Sequence, residues 1–329
     1  MATSGQSTDP AWAPFRIAPW FSERVWGYRD LHPWYDRVAE GEPIGEAWLT
    51  GDQCIVASGA QSGQRLDALY AKDPEALLGP AAPQSDGSPL LIKVLFVREK
   101  LSVQVHPDDA MAQKYGDLRG KTECWYVLDA EAEAEVACGL KPGVTMNEVK
   151  TGIETDTLEG CLNMLHVVNG DVIFVDAGTV HAIWPGTILL ETQQNCDQTY
   201  RMYDYGRGRE LHIKKSLEAA KLETRAGKVA PKLLDDRTIL MDGEYFLVER
   251  IALSGSRTSA SLRGDGPAGL QYFFAAAGAA KITGSGFEPV EFSKGGIVAV
   301  PAASPEFAVE DLGGLELIRV TPRWPAGSQ

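Results

Sequence analysis

The sequence predicts a mainly β protein, a β-sandwich or jelly roll with a few helices inserted between strands. Three observations carry that expectation. Apolar residues, many of them β-branched, alternate with other residues in stretches such as 91–106, 122–128 and 188–193, the pattern of a strand with one buried face. Gly- and Pro-containing turns punctuate these stretches. From about residue 235 onward the chain continues as short strands with Gly-rich turns and no further long helix, so strands dominate.

A chain of 329 residues holds two modest domains or one large one, with ample apolar content for a core. Its formal charge of −14 is spread along the chain. That argues against nucleic acid or an anionic membrane as a partner, and any anionic substrate needs a local basic pocket. No apolar run approaches the ~20 residues of a membrane span, and the first residues lack the charged start and apolar core of a signal peptide. Cys54, Cys124, Cys138, Cys161 and Cys196 are odd in number and form no CxxC pair. They read as reduced thiols of a cytoplasmic protein, not as a disulfide framework or zinc ribbon.

In order, residues 1–12 read as a disordered leader, and 14–57 as irregular strands around Trp20, Trp26, Trp34 and Trp48. Leu66, Leu69 and Tyr70 fit a helix, and Asp73-Pro-Glu75 opens a second one that Gly79 closes. Residues 91–106 read as one strand, 108–116 as a helix, 122–128 as a strand and 131–138 as continued alternation. Thr145 with Glu148 three residues on forms a capping-box signal for a helix over 144–166. Strands follow at 170–175 and 188–193, then a helix at 216–222. There is also an internal echo. Gly170 is followed at +6, +8 and +11 by Asp176, Gly178 and His181, and Gly295 at the same offsets by Pro301, Ala303 and Glu306. Two related β-domains would produce this, and so would the commonness of Gly-strand-turn patterns in β proteins.

The chemistry concentrates on three clusters. Along a strand Ser102, Gln104 and His106 share one face and Val103 and Val105 the other. With Glu123 on the next strand and His181 at a later one, Gln104 and His106 make a donor set of two imidazoles, a carboxylate and an amide. Such a set suits Zn²⁺, with Fe²⁺, Mn²⁺, Co²⁺ and Ni²⁺ as alternatives. Each of these residues alone is more often structural, and His32, His166 and His212 are read that way. Second, every odd position from Glu191 to Arg201 is polar, while Ile188-Leu-Leu190 and Tyr200-Met-Tyr-Asp-Tyr205 flank the stretch with apolar and aromatic residues. Burying so many polar groups is costly without partners, which a polyhydroxylated ligand would supply; a solvated face explains the alternation equally well. Third, Lys93, Lys121 and Arg201, with the Ser102 hydroxyl, are candidates for an anion. The chain has no GxxxxGK[ST] or GxGxxG loop to cradle a nucleotide.

Four motifs in order carry a resemblance: Leu101-Ser-Val-Gln-Val-His-Pro-Asp-Asp109, Gly120-Lys-Thr-Glu-Cys-Trp-Tyr126, Gly178-Thr-Val-His-Ala-Ile183 and Glu191-Thr-Gln-Gln-Asn-Cys-Asp-Gln-Thr-Tyr-Arg201. Gly45-Glu-Ala-Trp48 and Leu211-His-Ile213 add to it. The chain resembles the class I mannose-6-phosphate isomerases of the cupin superfamily, in their short bacterial form. The resemblance implies two cupin-like (jelly-roll) β-barrel domains: a metal-binding catalytic domain over 13–230 and a metal-free one over 231–329. It implies one divalent metal, usually zinc, on Gln104, His106, Glu123 and His181. Substrate or phosphate would meet Lys93, Ser102, Lys121 and Arg201, and Glu191 and Asp197 fall at active-site carboxylates. Asp176 replaces a common turn Pro and Cys196 a common Ser; neither is an implied ligand.

The implied reaction interconverts mannose 6-phosphate and fructose 6-phosphate through an enediolate. Glu191 is the first candidate for general base, with a metal-bound water and Asp197 as rivals, while Lys121 and Arg201 polarise substrate oxygens or bind phosphate. The implied partner is a small sugar phosphate; the acidic charge argues against nucleic acid or membrane, and an acidic chain with no obvious exposed apolar run reads as a monomer or weak homo-oligomer. Two other readings stand beside this one: another metal cupin enzyme such as a dioxygenase, and a sugar-phosphate-binding protein without catalysis.

Overall fold

The computed structural model describes residues 12–80, 82, 87–253, 257–258, 262 and 269–324. The leader expected at residues 1–12 lies outside these, apart from Trp12. The chain forms two compact units, one of Phe21–Ala47 with Leu91–Ala230, the other of Trp48–Leu90 with the segments before Phe21 and after Ala230. This differs from the expected linear division into 13–230 and 231–329, and strand pairing explains the difference. The strand Phe15–Ala18 lies antiparallel to Ile297–Val300 with Ile17 opposite Ile297. The helix Leu66–Lys72 carries Tyr70, whose hydroxyl is 2.5 Å from that of Tyr272.

The unit containing Leu91–Ala230 is a sandwich of two sheets. One sheet has seven strands, in the order Gly227–Lys228, Val172–Val175, Glu123–Ala130, Thr187–Gln194, Leu90–Val97, Ile44–Trp48, Trp20–Tyr28. The other has five, in the order Tyr200–Tyr203, Val103–Val105, His181–Ile183, Glu135–Leu140, Leu162–His166. Period-2 alternation decides which side chains meet. Trp26, Leu95, Val97, Trp125, Val127 and Leu189 from the first sheet pack on Val136, Cys138 and Ile183 from the second. The intervening residues Val103, Val105, Ala137, Ala182 and Met202 face outward and are covered by Val149 and Ala219 of the helices Met146–Glu154 and Ile213–Ala219. Each fully buried aliphatic side chain here is worth about 1.5–3 kcal/mol relative to exposure.

The mainly β jelly-roll expectation is met, but the sheets are open instead of closing into barrels. Val103–Val105 and His181–Ile183 are three residues long, too short to carry a continuous ladder around a barrel. Side-chain packing therefore joins the sheets. The single strand expected over 91–106 is two, Leu90–Val97 and Val103–Val105, because the charged run Arg98-Glu-Lys100 turns at the surface. The helix expected over 144–166 keeps its Thr145/Glu148 capping box but ends at Glu154. A 3₁₀ turn, Leu158–Cys161, and a strand, Leu162–His166, follow, since pairing with Glu135–Leu140 overrides the helical spacing there.

The second unit is built on a ten-stranded sheet whose spine is the long pair Gln271–Gly284 and Phe307–Pro322. These strands of 14 and 16 residues replace the short ones expected. Phe273, Ile282, Val298, Phe307 and Leu317 form its core. Among the described residues no helix is long and apolar enough to cross a membrane.

Candidate active site and metal centre

Alternation that builds the sandwich core also builds the site, because along several strands the inward face changes from apolar to charged. Val97 and Leu95 give way to Lys93, Val127 and Trp125 to Glu123, and Leu189 to Glu191. Lys93 and Glu191 meet Ser102, Gln104 and Arg201 from the five-stranded side around a cavity of about 450 Å³, within the ordinary range for small-molecule sites. A glycine locks two motifs together. Lys121 N–H donates to the Pro107 carbonyl (2.9 Å) and Gly120 N–H to Asp109 Oδ1 (2.7 Å). A Cβ on Gly120 would stand 2.5 Å from the Asp108 carbonyl carbon.

His106, Glu123 and His181 come together as a fully buried trio whose ligand-type atoms all lie within 4.8 Å of one another. Glu123 Oε2 is 3.5 Å from His106 Nε2, and Glu123 Oε1 is 3.5 Å from His181 Nε2. Each Nδ1 faces a backbone carbonyl, Gln198 for His106 and Thr179 for His181, both at 2.9 Å. That contact holds the proton on Nδ1 and leaves the Nε2 lone pair directed at Glu123. Burial, reinforced by the charge of Lys121, keeps both imidazoles neutral: it drives His106 far below its ordinary value and His181 to about 4. Among the described residues, His106 Nε2 and both Glu123 oxygens make no hydrogen bond, although Lys121 Nζ forms an ion pair with Oε2 at 3.2 Å. Buried polar atoms are seldom left so. Neutral imidazoles and a carboxylate with unspent lone pairs fit a divalent cation. Gln104 adjoins the trio with its amide nitrogen 3.2 Å from His181 Nε2.

The second cluster surrounds Lys93, which is 1 % exposed. Its ammonium lies 3.7 Å from Glu46 Oε1, 3.5 Å from Glu191 Oε2 and 3.1 Å from Asp197 Oδ1. Burial opposes that charge, but Glu46, Asp197 and Glu191 outweigh it and raise the Lys93 pKa. The same balance holds at Asp197, where burial pushes the carboxyl up and Lys93 and Lys121 hold it below the usual range. Arg24 Nη2 adds a contact of 2.8 Å to Glu46. The Trp125 indole N–H donates to Glu191 Oε1 at 3.2 Å, and its ring meets His181 edge-on at 5.7 Å.

The fold thus brings Lys93, Ser102, Gln104, Lys121, Glu191, Asp197 and Arg201 to one cavity. His106, Glu123 and His181 lie in the wall behind Gln104, Lys121 and Trp125. Sequence reasoning missed Arg24, Glu46, Arg209 and His212, which also line the cavity. His212, which the sequence assigns a structural role, does hold backbone, since its Nδ1 accepts from the Arg201 N–H at 3.2 Å, and it lines the cavity as well. Glu46 carried a usable signal: like Lys93, it is a charged residue on the face of a strand shared with apolar neighbours, here Ile44 and Trp48.

The family model of the phosphomannose isomerase type I catalytic domain matches residues 15–150. Mannose-6-phosphate isomerase ManA of Bacillus subtilis is 36 % identical over 313 residues, covering 90 % of this chain and 96 % of the relative. A mannose-6-phosphate isomerase of Streptococcus mutans is 34 % identical over 257 residues, 74 % of this chain and 80 % of its own length. The crystal structure of the Bacillus subtilis mannose 6-phosphate isomerase superposes with a TM-score of 0.81 at 30 % identity, over 94 % of this chain and 99 % of that one. Fold, motif order and full-length similarity agree: the chain belongs to the type I mannose-6-phosphate isomerase family.

Proposed function

We propose that this protein interconverts mannose 6-phosphate and fructose 6-phosphate by moving a proton between C2 and C1 of the open-chain sugar, with a divalent metal held by Gln104, His106, Glu123 and His181. The observation that carries the proposal is that Glu191, ion-paired and buried, shares a cavity with Gln104 and Lys121, which abut the His106–Glu123–His181 trio. Two imidazoles, a carboxylate and an amide oxygen suit Zn²⁺; a half-turn of the Gln104 amide presents its oxygen in place of its nitrogen. Bound there, the cation supplies Lewis-acid stabilisation of charge developing on substrate oxygen.

The chain's own residues do the rest. Glu191 takes the proton from C2 and returns it at C1, its two oxygens fixed by Lys93 and Trp125. Lys121 donates to the substrate oxygen that gains charge in the enediolate. Asp197, ion-paired with Lys93 on the cavity, assists ring opening. Arg201 and Ser102 take the phosphate. Lys93 is a poor phosphate site despite its charge, because a dianion there would meet Glu46, Glu191 and Asp197. An acidic chain with five free cysteines fits a small-molecule enzyme of the reducing cytoplasm. Relatives matched over nearly their full length carry the isomerase name, which favours this reading over a dioxygenase or a non-catalytic binder.

The decisive experiment is an aldose–ketose assay with mannose 6-phosphate. Turnover that disappears with a chelator and returns with Zn²⁺ supports the proposal. Absence of turnover in metal-replete protein overturns it.

A further inference from the structure

We propose that Arg209, aimed by the buried carboxylate of Asp204, is a second phosphate-binding residue of this site, acting beside Arg201. The inference rests on the sugar-phosphate reading above. The chain leaving the strand Tyr200–Tyr203 returns along the cavity, so that Arg209 and His212 line it together with Ser102 and Arg201. Asp204 is 4 % exposed. It accepts from Arg209 Nε at 2.9 Å and from Arg209 Nη2 through its other oxygen. This two-pronged pairing fixes the plane of the guanidinium by one edge and leaves the Nη1 edge for a ligand.

The surroundings favour an anion. Arg201 gives Nη1 to the Glu210 carbonyl at 2.8 Å, while its Nε is buried without a hydrogen-bond partner among the described residues. His212 accepts the Arg201 backbone N–H on Nδ1, which places the proton of the neutral ring on Nε2. Burial, and next the neighbouring charge of Arg209, hold the Arg201 pKa below its ordinary value. Two guanidiniums that repel each other at the edge of a cavity are relieved by a dianion between them. The seven-stranded side of the cavity presents Glu46 and Glu191, so the two walls orient a sugar phosphate with its phosphate at the arginines and its reacting carbons toward Glu191. Arg209 binds and Asp204 positions.

The test uses metal-replete, full-length protein. Arg209→Gln is expected to raise both KM for mannose 6-phosphate and the inhibition constant of inorganic phosphate by about 10- to 100-fold, the usual cost of a charged hydrogen bond, with kcat changed less than about 3-fold. Arg209→Lys should recover part of both constants. Asp204→Asn should move them the same way by a smaller factor. If the inhibition constant of phosphate stays within about 2-fold in Arg209→Gln while only the melting temperature falls, the residue is structural and the inference fails. Should Arg209→Gln not fold, the phosphate constants of Arg209→Lys and Asp204→Asn decide in the same sense. Calorimetry with inorganic phosphate separates the two readings. Wild type that binds phosphate without isomerising the sugar sinks the isomerase reading alone. Equal binding by wild type and the variant sinks the role of Arg209 alone.

Discussion

His106 Nε2 and Glu123 Oε2 face each other at 3.5 Å in the protein interior, and neither atom has a hydrogen-bond partner among the described residues. A cation between them satisfies both. Zinc added to chelator-stripped protein should therefore raise the melting temperature, with a stabilisation of about 4 kcal/mol once free metal exceeds the dissociation constant a thousandfold. His106→Ala should abolish the rise and the bound metal together. A variant that keeps stoichiometric metal by elemental analysis would remove His106 from the donor set.

Glu191 is held on one oxygen by Lys93 and on the other by Trp125. Glu191→Gln keeps the shape and removes the proposed base. Its kcat should fall by about 10²- to 10⁴-fold with metal content unchanged. A kcat within a few-fold of wild type would pass the role to another group.

Lys93 serves three carboxylates at once. Lys93→Met leaves buried negative charge without its counterion, a loss of about 3–5 kcal/mol by denaturant titration. Adding Glu46→Gln should restore part of that loss, since one of the stranded charges is then gone. Additive destabilisation by the pair would show that Glu46 and Lys93 are not coupled.

Acid should weaken the metal-free protein before it protonates most carboxylates. His181 titrates near 4 in the folded chain and at about 6.5 when unfolded. Between those values the unfolded state binds the extra proton, so stability is full above about pH 6.5 and declines as pH falls toward 4, by on the order of 3 kcal/mol for this one group. Chemical denaturation of apo wild type and apo His181→Gln between pH 7 and 5 checks it. The variant should show a shallower decline, and parallel curves would contradict the depressed value.

Gly120 rests against the Pro107-Asp108-Asp109 turn with no room for a side chain. Gly120→Ala should lower the melting temperature and, by shifting Lys121, reduce kcat as well. Unchanged kinetics in a folded variant would separate Lys121 from that turn.

Much of the site was legible because its residues violate the patterns around them. Ser102, Gln104 and His106 make a polar row on a strand whose other face is valine, and Lys93 and Glu191 sit among aliphatic residues. Each violation is local and can be read from spacing alone. Arg209 and His212 could not be assigned to the cavity for the opposite reason, although Leu211-His-Ile213 already added to the family resemblance. They follow a turn in a charged, Gly-containing stretch where polar residues are unremarkable, and only the chain's return to Arg201 gives them a place. The helix expected over 144–166 failed similarly, since local spacing favoured helix through residue 165 while a ladder to Glu135–Leu140 claimed the second half.

By itself the sequence determined the strand-dominated class, the face each motif residue occupies, and which side chains are candidate metal donors, because these follow from the two-residue repeat of a strand and from side-chain chemistry. The tertiary structure alone decided which carboxylates surround Lys93, that residues 48–90 join the C-terminal unit, and that the sheets stay open. It also placed a guanidinium held by Asp204 on the cavity wall. Those outcomes depend on pairing between segments far apart in the chain, where register and burial set distances that no local pattern encodes.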